Sequence, residues 1–137
     1  MKASEEVLAL WKRALKTLKT AEGLVSSDSD SASSRAYYAA FYAVSALFAH
    51  EDKSFKKHSG VEVAVHRDLV RTGRWAGSLG SEYTSLRNMR AVSDYGGAKH
   101  VSDEETAQAV KISARVLKAV HEAYPDVFEW PDAESAV

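Results

Sequence analysis

The residues with the most chemical potential lie in SLRNMRAVSDYGG, Ser85 to Gly97: Arg87, Arg90, Asp94 and Tyr95. Arg87, Arg90 and Asp94 fall at i, i+3 and i+7, one face of a helix two turns long. Two guanidinium groups so placed beside the Tyr95 phenol can grip a phosphodiester bidentately and steady negative charge as it develops. Arg90 and Asp94 are also i, i+4, the spacing of an ordinary intrahelical ion pair worth about 0.3 to 0.5 kcal/mol. Against the plain pair stands the stripe that leads into it. Leu79, Tyr83 and Leu86 point one helix face at a core or a partner, and Arg90 continues that face. A guanidinium there must be paired or must line a cleft.

A second group surrounds His58, which follows Lys56 and Lys57 at the head of a helical segment. It reads either as a cap that orders the loop or as part of a phosphate site with the two lysines and Arg35. His58, Glu62 and His66 at i, i+4 and i+8 invite a metal, but eight residues span about 12 Å of helix, too far for one ion to hold both histidines. No glycine-rich phosphate loop is present and no serine stands out as a nucleophile. Neither a cofactor nor a metal is expected. Tyr37, Tyr38 and Tyr42 read as core tyrosines or as platforms on which bases stack.

The elements that position these groups all read as helices. Ser4, Glu5 and Glu6 mark a helix start, followed by an apolar stripe of Leu8, Trp11, Leu15 and Leu18 up to about Gly23. The serine-rich run from Ser26 is a polar loop. From Ser34 to His50 the chain is apolar nearly all round, so this helix must be covered on most sides and forms the axis of a bundle. A third helix of about 13 residues carries Val61, Val65 and Leu69 and ends near Gly73, and a fourth follows WAGSLGS. Ser102 and Glu105 stand in capping-box spacing ahead of a last helix buried through Val110, Leu117, Val120 and Tyr124, which Pro125 stops. The reading is an all-α, up-and-down antiparallel bundle of about five helices over residues 1–124. Residues 125–137 form a loose acidic tail in which Phe128 and Trp130 can dock locally.

Bulk properties agree with one domain. A chain of 137 residues can bury its own core, and 7 Gly with 2 Pro leave little material for a turn-rich β protein. The absence of cysteine removes disulfides and thiolate chemistry and, with a charged N-terminal stretch that is neither signal peptide nor membrane span, leads to a cytoplasmic expectation. Net charge is −1, yet Lys53, Lys56, Lys57, Arg67, Arg71 and Arg74 cluster against only Glu62 and Asp68, a segment suited to phosphate or a solvated face.

Three stretches in order, SRAYYAAFYAVSALF, KKHSGVEVAVHRDLVRTGRW and RAVSDYG, followed by an amphipathic helix, resemble the HEPN domain over about residues 5–124. The small stand-alone prokaryotic branch is the most similar. The resemblance implies a helical bundle, a homodimer whose two copies share one cleft, and a toxin-antitoxin pairing with a minimal nucleotidyltransferase encoded nearby. It also implies RNA or nucleotide binding through a dimer cleft lined by Arg87 and Arg90. Many members are metal-independent endoribonucleases that use an arginine and, after four to six intervening residues, a histidine. From Arg87 that window ends at Val92, Ser93 and Asp94, and from Arg90 at Tyr95, Gly96 and Gly97; none is a histidine. Binding of RNA, nucleotide or the partner is therefore the first expectation. Cleavage by 2′-hydroxyl attack, with His58, Tyr95 or water moving the proton, is the alternative.

Overall fold

The structure, a computed structural model, describes residues 3–131. Five α-helices follow one another: α1 Glu5–Leu24, α2 Ser29–His50, α3 His58–Ala64, α4 Gly77–Tyr95 and α5 Asp103–Ala123. Among the described residues there is no strand, and the bundle is all-α as the periodicity predicts. None of the described helices is long and apolar enough to cross a membrane.

The caps account for most boundaries. The Ser4 side chain accepts from the Val7 N–H, and Ser102 with Glu105 forms a complete capping box at the start of α5. Asp28 caps α2, accepting from the Ser31 amide at 3.2 Å and the Ser31 hydroxyl at 2.6 Å. This start lies ahead of the expected Ser34, because an aspartate cap turns part of the serine-rich run into helix.

α2 is the bundle's axis. Ala36, Ala39, Ala40, Ala43 and Ala46 have no exposed surface, and α1, α4 and α5 all pack on this helix. The buried side of α1 is Val7, Trp11, Ala14, Leu18 and Ala21, so the stripe is turned by about one residue from the expected one. Small Ala14 permits the close approach to α2, while Leu15 is half-buried and Leu8 exposed.

Two departures concern the segment between α2 and α4. After Ala64 the helix widens into a π-helical turn, Val65–Val70, in which the Arg71 amide reaches the His66 carbonyl at 3.0 Å. α4 then begins at Gly77, inside the glycine-rich stretch read as its leading loop. Gly80 is buried within it because a Cβ there would stand 2.6 Å from Val70 Cγ2 and 3.2 Å from the His66 ring. Glycine here serves close packing of α4 on the π turn rather than a turn of its own.

As far as Pro131 the segment after α5 is packed rather than loose, with Phe128 and Trp130 docked as expected. Phe128 is fully buried against Trp11, with ring centroids 5.4 Å apart. The Trp11 indole N–H donates to the Glu129 carbonyl at 2.9 Å, His121 Nδ1 lies 2.6 Å from the Phe128 carbonyl oxygen, and the Lys118 ammonium sits 4.9 Å from the centre of the Trp130 ring. Apolar area on Val127, Phe128 and Trp130 outweighs the acidic character of the segment. Asp132 and Glu134, the other acids assigned to the tail, lie outside the described residues. Replacing Phe128 by alanine is expected to cost about 3 to 5 kcal/mol in urea unfolding, the range for emptying a large aromatic site in a core. A loss below about 1 kcal/mol would show that the tail does not belong to the core.

Candidate functional site

Arg90 is the centre of the site. It follows Tyr83 and Leu86, both fully buried, on the inner face of α4, and its side chain is only 19% exposed. Its Nη2 donates to the Tyr38 hydroxyl at 2.9 Å. The guanidinium carbon lies 5.6, 5.4 and 5.5 Å from the ring centres of Tyr37, Tyr38 and Tyr95, within cation–π range of all three. Nε approaches Asp94 Oδ2 at 3.0 Å, an ion pair without the alignment of a hydrogen bond. Of the five N–H donors of this guanidinium, one is thus committed to a hydrogen bond within the chain.

His58 opens α3, but makes no side-chain cap. Its ring packs on Phe41 with centroids 4.2 Å apart and meets the edge of Tyr38 at 5.8 Å, so His58 and Arg90 lie against the same tyrosine. Desolvation, followed by the charge of Arg90, holds its pKa below the ordinary 6.5. At neutral pH the imidazole is uncharged and can accept a proton. Lys56 and Lys57 are exposed immediately before it, with no carboxylate within ion-pair distance among the described residues.

Arg87 takes a different partner. Its Nη1 lies 2.9 Å from Glu62 Oε2 on α3, and Glu62 Oε1 accepts from the Thr84 hydroxyl at 3.0 Å. Thr84 is in turn 2.9 Å from His66 Nε2. The π turn brings His66 to this chain, which ties α3 to α4 and fixes the base of the site. Glu62 and His66, one turn apart, are joined through this threonine. The two arginines therefore share a face but not a partner: Asp94 offsets Arg90 and Glu62 offsets Arg87.

Other predicted groups are dispersed. In the basic segment, Lys53 and Arg67 pair with Asp68 and Arg74 pairs with Glu51, which leaves Lys56, Lys57 and Arg71 as its uncompensated cations among the described residues. Arg35 is exposed on α2, one turn before Tyr38, and lines a depression with Tyr38, Ser93 and Asp94. Tyr95 is 74% exposed at the end of α4. Sequence reasoning misses Thr84, and weighs Glu62 as a metal ligand rather than as the partner of Arg87 and Thr84. The only available signal is their helical register, since the pairing joins residues 22 apart. Tyr37 is buried as a core tyrosine, whereas Tyr38 is half-exposed. Together Arg90, neutral His58 and the exposed Tyr95 ring can hold an anionic oxygen, move a proton and stack on a planar group.

The HEPN domain model matches residues 7–123. The chain is 33% identical over 129 residues to the UPF0332 protein of Thermotoga maritima, covering 93% of this chain and 98% of that protein. It is 31% identical over 106 residues to a protein of Methanocaldococcus jannaschii named "Putative toxin MJ0142", covering 77% of this chain and 72% of the other.

The bond between Tyr38 and Arg90 gives a direct test of the geometry. Tyr38→Phe is expected to lower stability by about 1.5 to 3 kcal/mol, as for a hydrogen bond to a charged group. In an Arg90→Ala background the same change should cost far less, and a double-mutant cycle in urea measures the difference. Additive losses would show that the two side chains are not coupled.

Proposed function

The chain belongs to the HEPN domain family, and on that premise we propose that it is a toxin-like protein that holds RNA or nucleotide phosphate at Arg90 in the cleft of a homodimer. The observation that carries the reading is the state of Arg90. A guanidinium ringed by three tyrosines, mostly screened from solvent, with one N–H donor hydrogen-bonded inside the chain, is preorganised for a phosphate rather than consumed by structure. The name of the Methanocaldococcus jannaschii relative supports the toxin assignment. A minimal nucleotidyltransferase is the partner that family membership favours.

In the proposed dimer, the α4 face bearing Arg87, Arg90 and Asp94 meets its twofold mate. Glu62 and Asp94 offset the repulsion that four arginines near one axis would create. Sedimentation velocity at micromolar concentration is expected to show a dimer, and Arg90→Glu should weaken it.

His58 favours a second reading, metal-independent cleavage of RNA. Neutral His58 takes the proton of a 2′-hydroxyl, the 2′-oxygen attacks the adjacent phosphorus, and Arg90 steadies the charge of the phosphorane. The 5′-oxygen leaves with a proton taken from water, giving a 2′,3′-cyclic phosphate and a 5′-hydroxyl, and the proton held by His58 passes to solvent. The missing histidine of the family motif is replaced in this reading by one from another helix.

Both readings are tested with labelled single-stranded RNA. Affinity should fall as salt rises and drop about tenfold or more in Arg90→Ala, equivalent to about 1.4 kcal/mol per tenfold. Lowering the pH through the depressed pKa of His58 adds a proton to it and hence a cation to the site, so binding should tighten and cleavage should slow. His58→Ala should remove both responses. Cleavage products should carry cyclic phosphate ends and form in EDTA. Folded Arg90→Ala that binds as the wild type would overturn the assignment of Arg90.

A further inference from the structure

A groove of about 480 Å³ between α1 and α2 is lined by Arg13, Lys16, Thr17, Thr20, Arg35 and Tyr42. We propose that this groove is a second phosphate-binding subsite, which takes the backbone of single-stranded RNA running away from Arg90. The proposal rests on the reading of Arg90 as a phosphate site and names what lies beyond it.

The first support is charge. The chain has eight arginines, and Arg67, Arg74, Arg87, Arg90 and Arg115 each have a carboxylate partner. Of the three that have none among the described residues, Arg13 and Arg35 both face this groove, joined by Lys16. No acid lines it. Three cations held near one another by two packed helices repel, and a polyanion relieves that repulsion while releasing its own counterions.

The second support is continuity with the site. Arg90 is hydrogen-bonded to Tyr38, the Tyr38 and Tyr42 rings lie 6.1 Å apart one turn along α2, and the Arg13 guanidinium lies 5.3 Å from the centre of the Tyr42 ring. Cation, ring, ring and cation thus alternate across the surface from Arg90 to Arg13. This is the pattern by which single strands are held, with phosphates on cations and bases on aromatic or guanidinium planes. Both rings are half-exposed. The adjoining depression shares Thr20 and Arg35 with the groove and holds Asp28, Asp30 and Asp94, whose carboxylates disfavour a polyanion beyond Arg35 on that side.

The test uses the full chain and two labelled probes, a uridine dinucleotide and a uridine dodecamer, with binding read by fluorescence anisotropy across salt concentrations. Arg13, Lys16 and Arg35 are exposed, so the triple alanine variant should fold, and its melting curve checks this. It is expected to bind the dodecamer about tenfold more weakly, with a salt slope smaller by about 2, because each phosphate neutralised in the groove contributes roughly 0.7 to the slope. Dinucleotide binding should be unchanged, whereas Arg90→Ala should weaken both probes. If the triple variant binds the dodecamer as the wild type does while Arg90→Ala weakens both probes, the groove is a solvated face and the inference falls with the Arg90 reading intact. If Arg90→Ala leaves both probes unaffected, the Arg90 reading falls, and any remaining effect of the triple variant belongs to an isolated groove rather than a track. A wild type that binds neither probe overturns both.

Discussion

The structure depends on covering one helix. α2 has no polar face to offer water over most of its length, so burial on several sides is its only stable state. Its alanines make that burial achievable, since they let α1, α4 and α5 approach closely and lose no side-chain entropy on ordering. Ser113 of α5 shows how closely: its hydroxyl donates to the Ala36 carbonyl at 2.7 Å in the interior, a bond that only short side chains on both helices permit. Where the alanines give way to Tyr37, Tyr38, Phe41 and Tyr42, the packing cannot close in the same manner. Rings from α2 then emerge between α3, α4 and α1, and the candidate site forms at that seam.

Electrostatics at the seam is arranged so that charge is kept without being exhausted. Each arginine of α4 has its own carboxylate, both pairs are partly exposed, and neither carries the full desolvation cost of a buried ion pair. Arg90 gains further support from three tyrosine rings, which attract its charge but leave most of its donors free. The same charge, together with burial against Phe41, keeps His58 neutral. A cation and a neutral base beside one ring are the result of packing two helices on the same tyrosine.

The π-helical turn serves the same end from the other side. A regular α-helix would place one fewer residue before Arg71, whose amide here reaches the His66 carbonyl. The wider turn lets His66, Thr84, Glu62 and Arg87 form a continuous chain from one helix to the next, and Gly80 removes the side chain that would obstruct it.

Helix number, the dominance of α2, the capping box at Ser102 and the arginine-bearing face of α4 were all legible in the sequence, because each rests on contacts within about four residues along one helix. The pairing of Arg90 with Asp94 belongs to the same class. Whatever required two helices to be set side by side was not legible. Glu62 for Arg87, Tyr38 for Arg90, Phe41 under His58, and Arg13 and Lys16 beside Arg35 are all decided by how helices cross and rotate. The start of α2 and the burial of Gly80 followed tertiary neighbours over local signals, and Phe128 found its place only once Trp11 of α1 stood beside it. Periodicity tells which face of a helix is turned inward, but the partner it meets there depends on packing, and in this protein the chemistry lies in the partners.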